Sequence, residues 1–192
     1  WSSTANIEGS RWNKLENISM ALQEQGNLLA DSGVDIIMIE EAQSYDLSIM
    51  AIDAAVSVGL PVWLGLSCKR DALTNTLVTF NENKSCFDSV AKKIIEYASS
   101  INKIELVNIM HTDVSDVFDA IDIVKKYWAG PLGVYPESGF FKMPNWQFVD
   151  VIKPHELIKY SRSWLQRHPL RLLGGCCGLG PSHIEALKSE YL

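Results

Sequence analysis

Two adjacent cysteines, Cys176 and Cys177, are the residues of this 192-residue chain best suited to do chemistry. They sit in the stretch Leu172-Leu173-Gly174-Gly175-Cys176-Cys177-Gly178-Leu179-Gly180-Pro181-Ser182-His183-Ile184, an apolar run that stops in glycines. Thiolates suit zinc, at about 2.3 Å per Zn–S bond, and two of them leave room for a third ligand and a reacting group. Side chains of a regular strand alternate between faces. Both sulfurs therefore reach one ion only where the backbone bends, and glycine reaches the dihedrals that permit a bend. The other readings of an adjacent pair are buried free thiols or a strained vicinal disulfide.

The elements that must position this pair follow from periodicity. A helical pattern runs from about Arg11 to Ala30, with Ile18, Leu22, Leu28 and Leu29 as its apolar positions and Ser32-Gly33 as its stop. Val34 to Ile39 is a short apolar run typical of a parallel strand covered on both faces, and it closes in Glu40-Glu41. A second helix spans about Tyr45 to Val58, its apolar positions Leu47, Met50, Ala51, Ala54 and Ala55, and Val62 to Cys68 is the next strand. Residues 69–84 are a polar loop. Phe87, Val90, Ala91, Ile94, Ile95 and Ala98 then give the cleanest helical period in the chain. Ile104 to Ile109 is a strand ending in Met110-His111-Thr112-Asp113, and Val114 to Trp128 a helix. Gly130 to Pro136 is a strand, and the loop from Glu137 to Lys153 carries Phe140, Phe141 and Trp146. Pro154 opens a helix to about Arg167, before the strand that carries the cysteines and a last helix from Pro181.

Five strands, each followed by a helix, indicate a parallel α/β sheet. A doubly wound sheet would usually show a glycine-rich phosphate turn after its first strand, and Glu40-Glu41-Ala42-Gln43 is nothing of the kind. The chemically distinctive residues (Glu40, Glu41, Cys68, His111, Tyr135, Cys176, Cys177) instead fall at strand ends. Chemistry gathered at strand C-termini is the signature of a (β/α)8 barrel, which at this spacing needs roughly 300 residues. The expectation is a TIM barrel with about five βα units present, incomplete at its N-terminus, residues 1–192 forming the C-terminal part of one barrel domain. The start at Trp1, in what reads as the middle of a loop, agrees with a partial sequence.

Gly-Gly-Cys-Cys-Gly followed by Pro-x-His-Ile resembles the end of the homocysteine S-methyltransferase family. Val34 to Glu40 is similar to the family's "DxxxxET" strand, Val107-Asn108 to the start of its "VNC" strand, and Tyr135-Pro136-Glu137-Ser138-Gly139 to its "YPNSG" segment. The resemblance covers nearly the whole chain and implies strands four to eight of the barrel. It also implies zinc in the barrel mouth on three thiolates, two from the Cys-Cys turn and one from "VNC". The substrate thiol of homocysteine enters as fourth ligand, loses its proton to the metal and attacks the methyl group of a sulfonium or ammonium donor. Glu40 matches the family glutamate that holds the substrate's amino group, and Asn108 and Tyr135 are polar wall groups.

The chain departs from that pattern where the third thiolate is expected, because Ile109 follows Asn108. His111 stands two residues on, on the same face as Ile109 by strand alternation. A Cys2His site of Cys176, Cys177 and His111 is chemically acceptable for zinc; Cys68 as third ligand, or loss of the metal with a changed activity, are the alternatives. Glu41 and Glu137 depart as well, standing for threonine and asparagine. The expected activity is zinc-dependent transfer of a methyl group to the thiol of homocysteine or a related compound, forming methionine or an analogue. The rival is a non-catalytic or repurposed barrel that binds a metal or small ligand.

The totals fit a small-molecule enzyme. Net charge is −6 and 47% of residues are hydrophobic, enough for one core. No basic cluster points to nucleic acid, and no apolar run spans a membrane. Four cysteines, two of them adjacent, make no disulfide framework, which favours a reducing, cytoplasmic compartment. The expected partners are homocysteine and a methyl donor; donor and oligomeric state are not legible.

Overall fold

The computed structural model of the chain describes residues 15–80, 84–144 and 147–192. The opening loop, the first turn expected of the first helix, and Trp146 lie outside the described residues. The elements are α1 (Leu15–Asp31), β1 (Ile37–Ala42), α2 (Tyr45–Ser57), β2 (Val62–Leu66), β3 (Lys69–Arg70), β4 (Leu77–Val78), α3 (Phe87–Ile101), β5 (Ile104–Asp113), α4 (Val117–Lys125), β6 (Leu132–Glu137), β7 (Phe140–Lys142), β8 (Gln147–Val149), α5 (Pro154–Arg167), β9 (Leu170–Leu173) and α6 (Pro181–Tyr191).

One parallel sheet carries the fold, in the order β1-β2-β5-β6-β9. The order never reverses along the chain. A doubly wound sheet reverses at its switch point, whereas sequential order is what a barrel requires; the chain forms an arc of a (β/α)8 barrel. The two loops read as irregular each hold a short antiparallel pair, β3 with β4 and β7 with β8.

The sheet's two faces differ in kind. Ile37, Ile39, Val62, Leu64, Leu66, Val107, Ile109 and Val134 point outward into one apolar core with Phe87, Ile94 and Ile95 of α3, Ile121 of α4, and Leu157 and Trp164 of α5. The period that marked α3 is thus the face it buries. On the first two helices the period misplaces several apolar side chains. Leu28 and Leu29 of α1 are exposed, as is Leu47 of α2, and the buried residue of α1 is Gly26. A Cβ there would lie 3.3 Å from the Ala54 carbonyl oxygen; α1 rests on α2 through its backbone, a contact that hydropathy does not register.

The opposite, inner face carries Gly65 and Ser67, Leu106, Asn108 and Met110, then Gly133 and Tyr135. Gly65, Asn108 and Gly133 form one row across three strands. A Cβ on Gly133 would stand 2.0 Å from Asn108 Oδ1, and one on Gly65 would stand 2.8 Å from the Tyr135 hydroxyl. The two glycines leave the space in which neighbouring polar side chains lie across the sheet.

Candidate metal centre

The turn after β9 continues the hydrogen-bond ladder of β6. Gly174 N–H donates to the Val134 carbonyl (2.9 Å), Cys176 N–H to that of Pro136 (2.7 Å), and Ser138 N–H to that of Cys177 (3.0 Å). Gly178 closes the turn at φ +79°, with the Ser138 carbonyl oxygen 2.0 Å from where a Cβ would be, so neither the dihedral nor the space admits a side chain. This bend brings the two sulfurs to one side, 3.9 Å apart. That separation is far from the ~2.05 Å of a disulfide, and all cysteines of the chain are free thiols.

His111 meets them from β5. Its Nδ1 lies 3.8 Å from Cys176 Sγ, and the ligand atoms of His111, Cys176 and Cys177 all lie within 4.8 Å of one another. A tetrahedral zinc with the usual bond lengths places sulfurs about 3.8 Å apart and sulfur and nitrogen about 3.5 Å apart. The donors therefore fit the ion in type and in spacing, and they are the only such trio among the described residues.

His111 reaches the mouth by a route that strand alternation does not give. Ile109 points into the outer core and is fully buried, and regular pleating would send His111 after it. Instead β5 breaks register with β6 between Met110 and Asp113, and His111 takes φ +42°. The left-handed residue turns the imidazole inward. Thus Ile109 stays on the helix side, and the backbone rather than the two-residue spacing delivers the nitrogen.

Three further groups surround the imidazole. Glu137 Oε2 lies 2.8 Å from Nδ1, and Glu41 Oε1 lies 3.5 Å from Nε2. The Cys176 sulfur, and then the Glu137 carboxylate, raise the His111 pKa to about 10. The Phe80 ring packs on the imidazole, centroids 5.0 Å apart, and Lys69 Nζ stands 5.0 Å from the Phe80 centroid. Burial, and then Cys176, push the Cys177 thiol up to about 12. Sequence reading treated Lys69 and Phe80 as parts of a polar loop. A single aromatic among polar residues was the only signal that the loop covers something.

Cys68 does not join the centre. It is fully buried in the outer core, its Sγ 3.7 Å from Thr112 Oγ1, and burial pushes its pKa to about 12. One position earlier, Ser67 faces inward. Its hydroxyl, both amide atoms of Asn108 and the Tyr135 hydroxyl are buried with no hydrogen-bond partner of good geometry. Burial raises the Tyr135 pKa, and the nearby Glu40 carboxylate raises it further. Glu40 itself is exposed at the sheet's edge. The structure thus gathers Cys176, Cys177 and His111 in one cluster, with Glu40, Asn108 and Tyr135 on the inner face beside it. Ser67 is the inner-face polar group that sequence reading passed over.

An arc of a parallel barrel with a thiolate–imidazole cluster at its strand ends defines a class of protein, the α/β barrels that keep their chemistry in the mouth. The sequence pattern of the homocysteine S-methyltransferase family matches residues 5–191, so the chain belongs to that family. It is 26% identical over 183 residues to the selenocysteine methyltransferase of Astragalus bisulcatus, an alignment covering 91% of this chain and 49% of the relative. Homocysteine S-methyltransferase 2 of Arabidopsis thaliana is 25% identical over 187 residues, covering 93% and 51%. The metallated form of the homocysteine methyltransferase MmuM from Escherichia coli superposes with a TM-score of 0.67 at 18% identity, over 92% of this chain and 52% of that one. The chain spans about half the length of the curated relatives it matches.

Proposed function

We propose that the protein transfers a methyl group to the thiol of homocysteine or a related thiol (or selenol) amino acid, and that residues 1–192 form the C-terminal part of the barrel that does so. Family membership supports thiol methylation. The observation that carries the metal reading is the fit of Cys176, Cys177 and His111 to three corners of a zinc tetrahedron, the fourth left to substrate. Zinc held there would supply Lewis acidity, lowering the pKa of the acceptor thiol so that it reacts as thiolate at neutral pH.

The chain's own residues supply the rest. The Cys-Cys turn fixes two donors through its ladder to β6. Glu40, a carboxylate at the rim, pairs with the ammonium of an amino-acid substrate. Asn108, Ser67 and Tyr135 offer buried donors and acceptors that are each costly by about 1–3 kcal/mol when left alone, and a polar head group bound beneath the mouth offsets that cost. The test is zinc content of the full-length protein, purified reduced and metal-replete, beside Cys176→Ala and His111→Ala. About one zinc per chain in the parent and clearly less in both variants, with His111→Ala still binding weakly through its two cysteines, is the expected result. A parent without zinc defeats the metal reading.

A further inference from the structure

Two non-glycine residues at strand ends hold left-handed backbones, Glu41 on β1 at φ +55° and His111 on β5 at φ +42°. Each sits at a break in register, between Ile39 and Ala42 on β1 and between Met110 and Asp113 on β5. These strands are not neighbours in the sheet, since β2 lies between them. Yet the two side chains meet, Glu41 Oε1 standing 3.5 Å from His111 Nε2. A left-handed non-glycine residue persists only where its surroundings hold it, and bulges commonly re-aim a side chain at a site. Two such irregularities converging on one contact across a third strand mark a built pair.

The nitrogens of His111 are not equivalent. Nδ1 is the one that faces Cys176, at 3.8 Å; Nε2 faces Glu41. A histidine that binds a metal through one nitrogen is held in the matching tautomer by an acceptor on the other. We propose that Glu41 is a positioning residue: it accepts the Nε2–H of His111, so that the Nδ1 lone pair points at the space between the imidazole and the two thiolates. This rests on the metal reading above and goes beyond it, because it assigns to Glu41 neither substrate contact nor a solvent-facing role. Glu137, on the Nδ1 side at 2.8 Å, marks the opposite direction. Its carboxylate accepts the Nδ1–H of the metal-free ring and gives that contact up when Nδ1 takes a metal, so on the loaded histidine only the Nε2–H remains for a carboxylate to hold.

The experiment measures zinc affinity of the full-length protein by competition with a chromophoric chelator, for the parent, Glu41→Ala, His111→Ala and the double variant. Glu41→Ala weakens zinc binding by roughly 10- to 100-fold, the usual range for an outer partner of a metal-bound histidine. The same substitution made on top of His111→Ala changes affinity no further. With Co2+ in place of zinc, Glu41→Ala shifts the ligand-field spectrum of the parent and leaves that of His111→Ala unmoved. Should Glu41→Ala fail to fold, Glu41→Gln keeps the shape and an uncharged acceptor, and a smaller loss in the same direction is expected. Unchanged affinity in Glu41→Ala or Glu41→Gln, or an equal loss with and without His111, overturns the inference and leaves the metal reading standing. A parent that binds no zinc, or a His111→Ala variant that binds it as tightly, removes the ground beneath both.

Discussion

The outer and inner faces of the same sheet are built by opposite rules. Outward, Val62, Leu64, Leu66, Val107, Ile109 and Val134 are all at or near zero exposure and meet aliphatic helix residues. Inward, the strands carry two glycines, an amide, a hydroxyl and a phenol, several of their polar atoms buried without partners. The first face is complete in itself; the second leaves buried polar groups with hydrogen-bonding capacity to spare. Up to Met110 the apolar core and the inner polar groups are thus divided by strand parity, and adjacent residues such as Asn108 and Ile109 belong to different problems; His111 breaks that parity.

The largest test of that division is Ile109→Ala. Emptying a fully buried aliphatic site costs about 2–5 kcal/mol, read from denaturant unfolding of the metal-free protein. By contrast Asn108→Ala, at an equally buried position on the next residue, is expected to cost within about 1 kcal/mol, because the deleted amide was unsatisfied. Equal losses at the two positions would erase the comparison. Ile109→Cys is expected to add no metal ligand, since its thiol would enter the outer core.

Gly133→Ala comes next. Its new methyl group meets Asn108 Oδ1, and overpacking of this sort costs about 1–3 kcal/mol. The double variant Gly133→Ala/Asn108→Ala should regain most of that loss, whereas a Gly133→Ala loss that persists would place the strain in the backbone instead.

Cysteine reactivity sharpens the contrast without mutation. At pH 8 the exposed Cys86 is expected to alkylate in the native protein, while Cys68, buried and pushed up to about 12, stays unmodified until unfolding. Mass spectrometry after native alkylation reads both. Labelling of native Cys68 would mean that the outer face opens more readily than its packing implies.

The smallest effect lies in the loop over the mouth. The Lys84 ammonium, and then backbone N–H groups of Thr74 and Leu73, hold the Asp71 carboxyl down at about 2. Because that folded pKa lies below the ordinary value of about 3.9, the stabilisation is complete above pH 3.9 and is lost as pH falls toward 2. Thermal melts of the parent and Lys84→Ala should differ slightly at pH 6 and converge near pH 2.

How much of this was legible depended on which quantity the sequence encodes. The parallel sheet and the α3 face follow from apolar period, because burial on the outer face is what aliphatic residues record, and the barrel order from the distinctive residues gathered at strand ends. The Cys-Cys turn was legible from Gly174, Gly175 and Gly178, whose absence of side chains is itself a geometric statement. What was not legible came from backbone irregularity. Two-residue alternation gives the wrong face for His111, since no residue type announces φ +42°. Phe80, Lys69 and the partner role of Glu41 depend on where the loop and the bulges fall, which period does not carry. Leu28, Leu29 and Leu47 erred the other way, as apolar residues left outside by a helix contact made through Gly26.

The turn after β9 also divides the pocket into a fixed half and an editable half. Its cysteines are placed by main-chain hydrogen bonds to Pro136, Ser138 and Val134 and by a glycine that tolerates no replacement. Residues 41, 111 and 137, by contrast, reach the cluster from three separate strand ends, the first two on left-handed backbones at breaks in register. Exchanging one of them is expected to alter the donors or the charge around the cluster and to leave the main-chain ladder of the sulfurs in place. The placement of the sulfurs and the identity of the groups that face them are thus set by different parts of the chain, the first by a main-chain ladder and the second by three strand ends.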